Sequence, residues 1–246
     1  MRMIYINARE GLSGDMLLAA MIGLLEEDAR AEVLASMSRA AKVADVDFHL
    51  ARTEDQGEAG LGVTYTGKGN EEVRRTYEEA LDLLHRMHVP PRPGAEPACD
   101  REILDTLVRA EAAAHDIPMN EVHLHEVGRA SALLNMFGIG QAHSRLKKAG
   151  AGDFVCSTIT TGKGIIVIAH GAVRVPAPAC KYLLKDLKHK TGLEPGERAT
   201  PTGLAAAKVL ARSQSDEIPA RYRRRSIGFG TRRFGGRLGR TILIWT

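Results

Sequence analysis

Helical and strand patterns follow one another along this chain without strict alternation, and this feature limits the folds open to it. Short apolar or alternating segments predict strands, and longer segments with apolar residues at helical spacing predict helices. A strict succession of strand and helix would favour a parallel sheet covered by helices. The irregular order instead predicts an α+β fold, a mixed α/β sheet with flanking helices.

The boundaries of these elements follow from caps, prolines and glycines. The predicted strands cover residues 2–6, 48–51, 61–65, 154–160, 165–168 and 238–245. One predicted helix follows Ser13, and the others cover residues 29–42, 71–87, 100–115, 132–148, 178–187 and 201–210. The strands on either side of Gly162-Lys163-Gly164 predict a hairpin with a glycine-containing turn.

Length and composition place the chain among ordinary globular proteins. Its 246 residues and mass of 26.7 kDa suffice for one large domain or two small ones. We expect a single domain over residues 1–246 with a proline-rich internal linker at 89–98. No apolar run reaches the roughly 18–20 residues of a transmembrane helix, and we find no secretory signal. Three widely spaced cysteines, Cys99, Cys156 and Cys180, favour reduced thiols in a cytoplasmic protein.

Positive charge is concentrated near the C-terminus. Eight of the 34 basic residues are arginines within residues 221–240, and no acidic residue follows Ala220. The first 220 residues therefore carry 26 basic against 30 acidic residues, a net charge of −4. An arginine block suits phosphates, and a basic surface without a ligand is an equally good interpretation. Nucleic acid is the weaker candidate, because aromatic residues make up only 4% of the chain.

The pattern closest to a metal site is His123-x-His125-Glu126. Side chains two residues apart share a face only in an extended segment, so joint binding by both imidazoles requires a strand or an extended loop. Imidazoles and a carboxylate suit zinc, nickel, copper or iron. The spacing alone favours the alternative, in which these are surface or partly buried histidines near a turn.

Three further segments offer backbone N–H groups or a lysine to an anion. Gly11-Leu12-Ser13-Gly14-Asp15 joins a strand to a helix, with Ser13 as a candidate N-cap and Asp15 as a candidate cation ligand. Lys163 lies between two glycines that allow close backbone approach. Thr200-Pro201-Thr202-Gly203 opens a helix with free N–H groups and hydroxyls. Taken singly, each segment is explained at least as well by helix capping or by a solvated hairpin lysine.

Taken together and in order, these segments resemble the nickel-insertion proteins of nickel-pincer nucleotide cofactor biosynthesis, the LarC family. The resemblance extends over nearly the whole chain. It is carried by Gly11-Leu12-Ser13-Gly14-Asp15-Met16, Ala110-Glu111-Ala112, His115-Asp116-Ile117-Pro118, Glu121-Val122-His123-Leu124-His125-Glu126-Val127-Gly128, Ser157-Thr158-Ile159-Thr160-Thr161-Gly162-Lys163-Gly164, Ala169-His170-Gly171, Val175-Pro176-Ala177-Pro178-Ala179, Thr200-Pro201-Thr202-Gly203 and Gly228-Phe229-Gly230-Thr231-Arg232.

The resemblance implies insertion of nickel into a bis-thiocarboxylated pyridinium mononucleotide in a CTP-dependent reaction. The product is a cofactor for lactate racemase and related enzymes. The cofactors implied are nickel and CTP with Mg or Mn, and the sulfur ligands would come from the substrate. The nickel ligands implied are His123, His125, Glu126 and Asp15. The residues implied for the phosphate or nucleotide are Ser13, Gly14, Lys163, Thr200, Thr202 and Arg232.

This chain departs from the family pattern at acidic positions. Asn7, Ser131 and Asn135 stand where the family usually has aspartate, and a histidine-rich stretch near residues 66–75 is absent. Amide and hydroxyl oxygens bind nickel or magnesium less well than carboxylates do. We expect the family's C-terminal, nucleotide-handling domain to be absent, so CTP use would need a separately encoded partner. A homo-oligomer is a further expected partner state, and the alternative function is a metal- or nucleotide-binding relative that has lost the reaction.

Overall fold

The computed structural model describes residues 2–71, 74–88, 99–168 and 171–246. The linker predicted at 89–98 lies outside these ranges. Among the described helices, none is long and apolar enough to cross a membrane.

A seven-stranded mixed sheet forms the centre of the fold, as the α+β prediction requires. In chain order its strands are β1 (Ile4–Asn7), β2 (Asp47–Asp55), β3 (Glu58–Thr66), β6 (Phe154–Cys156), β11 (Ala211–Gln214), β12 (Arg224–Phe234) and β13 (Arg237–Trp245). Their order across the sheet is β11-β6-β1-β13-β12-β3-β2. Strand β6 pairs in parallel with β1 and β11, as β12 does with β3, whereas the remaining neighbours are antiparallel.

Seven α-helices are present in the described part of the chain. They are α1 (Gly14–Leu24), α2 (Glu27–Val43), α3 (Tyr77–Met87), α4 (Asp100–His115), α5 (Ala130–Lys148), α6 (Pro178–Leu184) and α7 (Pro201–Leu210). Of these, α1, α2 and α7 contact the sheet. Helix α1 is central, because nine of its eleven residues are buried. A helix that is apolar on every side must be covered all round, and α1 lies between the sheet and α5.

Three two-stranded sheets lie outside the main sheet. Strand β4 (Arg75–Thr76) pairs with β5 (His123–Leu124), β7 (Ile159–Lys163) with β10 (His189–Pro195), and β8 (Ile165–Ile168) with β9 (Gly171–Arg174). The hairpin predicted across Gly162-Lys163-Gly164 is therefore wrong. A Cβ on Gly162 would lie 1.6 Å from the carbonyl oxygen of Gly196, so this edge of β7 is covered by the chain that follows β10. Gly164, with φ +87°, turns the chain away into β8.

Several predicted boundaries also shift. The helix predicted from residue 71 begins at Tyr77, because Thr76 caps it, and the helix predicted to 187 ends at Leu184. Strands β2 and β3 extend through the polar connection, where Gln56 and Gly57 form a tight turn at positive φ. Strand β12, which includes much of the arginine block, was not predicted as a strand.

The cap of α3 gives a direct test of local stability. The Thr76 hydroxyl accepts a hydrogen bond from the N–H of Glu79, and the Glu79 carboxylate accepts one from the N–H of Thr76. We expect Thr76→Ala to lower the free energy of unfolding by about 1 kcal/mol, or about 2–4 °C in Tm. Thr76→Ser retains the hydroxyl and should stay close to wild type in thermal unfolding. Equal losses in both variants would show that the cap contributes nothing.

Four of the eight arginines in the C-terminal block are paired with described acidic residues. Arg225 contacts Glu58 at 2.8 Å and Arg233 contacts Asp55 at 2.9 Å, while Arg224 pairs with Glu26. Arg240, which is 7% exposed at its side chain, pairs with both Glu10 and Glu58. These ion pairs account for much of the block without a ligand. Arg232, also in β12, forms no ion pair with a described residue.

Candidate functional site

Nearly all of the predicted site residues line one cleft of about 620 Å³. The cleft lies where the N-termini of α1, α5 and α7 meet the segment 123–129. A smaller cavity of about 120 Å³ adjoins it, shares Asp15, Glu197, Thr200 and Arg232 with it, and includes Ser13. The predicted site residues that line the cleft itself are Gly14, Asp15, His123, His125, Glu126, Thr200, Thr202 and Arg232.

Glycines allow the helix N-termini to come together at this cleft. A Cβ on Gly203, at the start of α7, would lie 2.5 Å from the carbonyl oxygen of Leu12. A Cβ on Gly14, at the start of α1, would lie 2.8 Å from the Thr202 methyl group and 3.2 Å from the Cβ of Asn135. Any side chain at either position would push the helices apart. Gly14 and Gly203, which belong to two separate sequence motifs, therefore both allow the starts of α1 and α7 to pack closely together.

The segment 123–129, which contains both histidines, is anchored by a short two-stranded sheet. Thr76 in β4 pairs with His123 in β5, and the Arg75 guanidinium donates to the carbonyl oxygen of Gly128. The chain is extended at His123 and turns at His125, where φ is −95° and ψ is −97°. The extended backbone that binding of one metal by both imidazoles would require is thus present at His123, whereas the chain turns at His125. Both residues line the cleft.

Asp15 lies in the first turn of α1, as predicted, but Ser13 does not cap that helix with its side chain. The Ser13 hydroxyl instead donates a hydrogen bond to the Asp15 carboxylate. Burial raises the pKa of Asp15, and the Ser13 hydrogen bond and the Arg232 charge oppose that rise. The Ser13 hydroxyl therefore orients the Asp15 carboxylate at the cleft.

Two glutamates in the cleft were missed as site residues by the sequence analysis. Burial, with the nearby Glu126 charge adding to it, raises the pKa of Glu111 to about 7. Burial likewise raises the pKa of Glu197 to about 7, against the lowering effect of Arg232. His115 lies one turn after Glu111 on α4, with its Nε2 3.8 Å from a Glu111 carboxylate oxygen. The spacing of Glu111 and His115 could have indicated a shared helix face.

The cleft therefore contains carboxylates, imidazoles and two arginines, Arg129 and Arg232. Imidazole and carboxylate ligands suit nickel. Among the described residues, no three His, Cys, Asp or Glu side chains are arranged to hold one metal ion together. The assignment of His123, His125, Glu126 and Asp15 as nickel ligands stays a prediction.

Lys163 is the predicted site residue that lines neither cavity. It is the last residue of β7, its side chain is exposed, and its backbone bridges to Gly196. Gly196 directly precedes Glu197, which lines the cleft, whereas Lys163 does not. The glycines around it serve chain packing, as the close approach of Gly162 to Gly196 shows.

Comparison with known proteins gives these residues a context. The family model described as "Nickel insertion protein" matches residues 4–241. The chain belongs to the nickel insertion protein family. No solved structure matches the chain at a significant level.

Curated members of the nickel insertion family share about 30% of their residues with this chain. The pyridinium-3,5-bisthiocarboxylic acid mononucleotide nickel insertion protein of Staphylococcus saprophyticus is 30% identical over 209 residues, which cover 85% of this chain and 51% of the relative. The protein of the same name from Staphylococcus epidermidis is 29% identical over 231 residues, covering 94% and 56%. A relative from Thermomicrobium roseum is 32% identical over 240 residues, covering 94% and 55%. The chain spans about half the length of these relatives.

Two of the three positions at which this nickel insertion family member has a neutral residue in place of the usual aspartate lie in the cleft. Ser131 and Asn135 line the cleft from α5. The Asn135 side chain accepts a hydrogen bond of 2.8 Å from the Tyr65 hydroxyl, and that of Asn7 accepts one of 3.2 Å from the N–H of Arg9. The amides therefore have local partners that keep them in place, and they bring no charge to the cleft.

Proposed function

We propose that this chain takes part in inserting nickel into pyridinium-3,5-bisthiocarboxylic acid mononucleotide, and that the cleft is the site of this step. The observation that carries the proposal is the convergence of His123, His125 and Glu126 with Asp15 and Arg232 in one cleft. Family membership and the names of the relatives support the choice of metal and substrate.

The cleft supplies two kinds of chemistry that such a step needs. The imidazoles and carboxylates offer nitrogen and oxygen ligands from which nickel can be passed on. Arg232 and the N-termini of α1 and α7 offer positive charge to an anionic substrate. In our proposal Glu126 and Asp15 complete the nickel ligands, and Thr200 and Thr202 lie beside the nucleotide.

The sulfur ligands of the product are supplied by the substrate in this proposal. Cys156 and Cys180 are fully buried, and burial raises the pKa of Cys156 to about 12 and that of Cys180 well above its usual value. Cys99 is also held as a thiol by burial, which raises its pKa to about 12. Thiols held in this state are poor nickel ligands, because the thiolate is the form that binds metal. All three are free cysteines.

The use of CTP is a separate part of the proposal. The matched region covers about half of each relative, and we propose that CTP, with Mg or Mn, is handled by residues outside that region. Such residues would reach the cleft from a partner that carries the other half of the relatives' length. The overall reaction would be that of a lyase-type metal chelatase.

Nickel titration tests the ligand assignment. We expect His123→Ala and His125→Ala each to weaken nickel binding at least about tenfold in isothermal titration calorimetry, because each removes an imidazole ligand. His49→Ala is the matched control, since His49 lies on the edge strand β2, outside the cleft lining. Wild-type affinity in both cleft variants would exclude these histidines as ligands.

A second candidate function is binding without the reaction. The neutral Asn7, Ser131 and Asn135 favour it, because a cleft with fewer carboxylates holds a cation less firmly. The two candidate functions can be distinguished by mass spectrometry of the mononucleotide. The chain is incubated with the mononucleotide, nickel, CTP and the half of a relative that this chain does not match. Nickel-containing product supports the insertion reaction, whereas nickel binding without product supports the binding-only function.

A further inference from the structure

The N-terminus of α5 lies at the wall of the cleft and is not capped by any side chain that the structure describes. Its N-cap residue is Arg129, which forms no side-chain cap, and no acidic residue lies in the first turn. The N–H groups of Ala132 and Leu133 donate to the carbonyl oxygen of Arg129. Those of Ala130 and Ser131 have no acceptor among the described residues. The positive end of a 19-residue helix therefore lies beside a further positive charge.

The Arg129 side chain is the second, independent sign of a missing anion. Its Nε atom is buried without a hydrogen-bond partner, and its guanidinium forms no ion pair with a described residue. Arg225, Arg233 and Arg240 each contact a carboxylate. The Nε atoms of Arg198 and Arg240 are also buried without a partner, but both of those guanidinium groups are paired with carboxylates. The Arg129 guanidinium lines the cleft with no carboxylate partner among the described residues, so it is suited to an acceptor that is not part of the protein.

We propose that Arg129 and the first turn of α5 form an anion site that binds the phosphate monoester of the cleft's ligand. Two free backbone N–H groups and a planar guanidinium present several donors to one tetrahedral oxyanion. Arg129, Ser131 and Ala132 all line the cleft. The cleft volume of about 620 Å³ leaves room for a mononucleotide attached to that phosphate.

This inference deepens the proposed function and rests on it for the identity of the ligand as a pyridinium mononucleotide. It also changes the phosphate assignment made from the sequence. Arg129, which lines the cleft, takes the role that was predicted for Lys163, which does not.

Calorimetric titration of the full chain with inorganic phosphate and with nicotinic acid mononucleotide tests the site. We expect Arg129→Gln to weaken the binding of both probes at least about tenfold, and Arg129→Lys to show an intermediate loss, because lysine keeps the charge but not the planar fork. Arg221→Gln and Lys163→Gln are controls of equal charge change outside the cleft lining, and both should bind as wild type does. Arg129→Gln should unfold at or above the wild-type Tm, since it removes an unpaired charge from a helix N-terminus.

Each outcome bears on one proposal. Wild-type affinity of Arg129→Gln for both probes, or no phosphate binding by the wild type, would overturn the anion site and leave the nickel experiments unaffected. Arg129-dependent binding of phosphate without binding of the mononucleotide would support the anion site and contradict the proposed substrate. Loss of binding that is equal in Arg129→Gln and Arg221→Gln would show only general electrostatic attraction, which also overturns the site.

Discussion

Gly228→Ala is expected to be the most destabilising of the substitutions considered. A Cβ at this position of β12 would lie 1.8 Å from the carbonyl oxygen of Met16 and 2.8 Å from the backbone nitrogen of Ala20. Both atoms belong to the backbone of α1, which cannot move aside as a flexible side chain can. Strand β12 and α1 must therefore separate, and we expect a loss of about 3 kcal/mol in the free energy of unfolding.

Gly230→Ala is the matched control on the same strand. Residues 228 and 230 face the same side of β12, and both would direct a Cβ toward α1. At Gly230, however, the nearest atoms are the Sδ and Cγ of Met16, at 3.2 and 3.3 Å. A methionine side chain shifts easily, so this variant should stay near wild type.

Thermal unfolding followed by circular dichroism distinguishes the two glycine variants. The expected loss for Gly228→Ala corresponds to about 6–12 °C in Tm for a chain of this size. Helix α1 carries Asp15 at its N-terminus, so nickel and phosphate binding should weaken as well. Similar Tm values for the two variants would contradict the close packing of α1 on β12.

Arg240→Met is expected to have the second-largest effect. The guanidinium is almost fully buried and donates to a Glu10 carboxylate oxygen at 2.7 Å and to Glu58. Methionine keeps much of the apolar stem but leaves two carboxylates without their shared partner. Because both carboxylates are partly exposed to water, we expect a loss of about 2 kcal/mol. Glu10 also begins the loop that leads to Asp15, so this loop should loosen.

The effect of Arg240→Met should depend on pH. Hydrogen bonding to Arg225 and the charge of Arg240 hold the pKa of Glu58 below its ordinary value of 4.5. A carboxyl group whose pKa is lowered by folding stabilises the folded state above its unfolded pKa, and this contribution is lost as the pH falls through the folded-state value. The difference between wild type and Arg240→Met should therefore be largest near neutral pH and shrink below about pH 4.5.

Urea unfolding at several pH values measures this difference. Arg237→Met is the control, because Arg237 lies exposed on the same strand and forms no ion pair with a described residue. It should change stability by less than about 0.5 kcal/mol. A difference between Arg240→Met and wild type that is constant from pH 7 to pH 3 would show that the Glu58 pair contributes nothing.

Local features were determined well by the sequence. Thr200 and Pro201 predicted the start of α7, and the Thr200 hydroxyl indeed accepts the N–H of Gly203. Helix α4 has the predicted bounds from Asp100 to His115. Such features depend on residues within one turn of each other, so the chain order contains the information. The family motifs likewise marked Asp15, His123, His125 and Glu126, which line one cleft.

Contacts between distant residues were decided by the tertiary structure. The edge of β7 pairs with β10 rather than with the adjacent β8, and Glu111 and Glu197 meet in one cleft from positions far apart in the chain. Which arginines are paired with carboxylates, and which line the cleft unpaired, follows from how distant strands, loops and helix ends pack together. These outcomes depend on where backbones approach closely at glycines such as Gly162 and Gly203, and on which long-range hydrogen bonds form. Segments far apart in the chain compete for the same partners, and no local sequence pattern records which of them pairs.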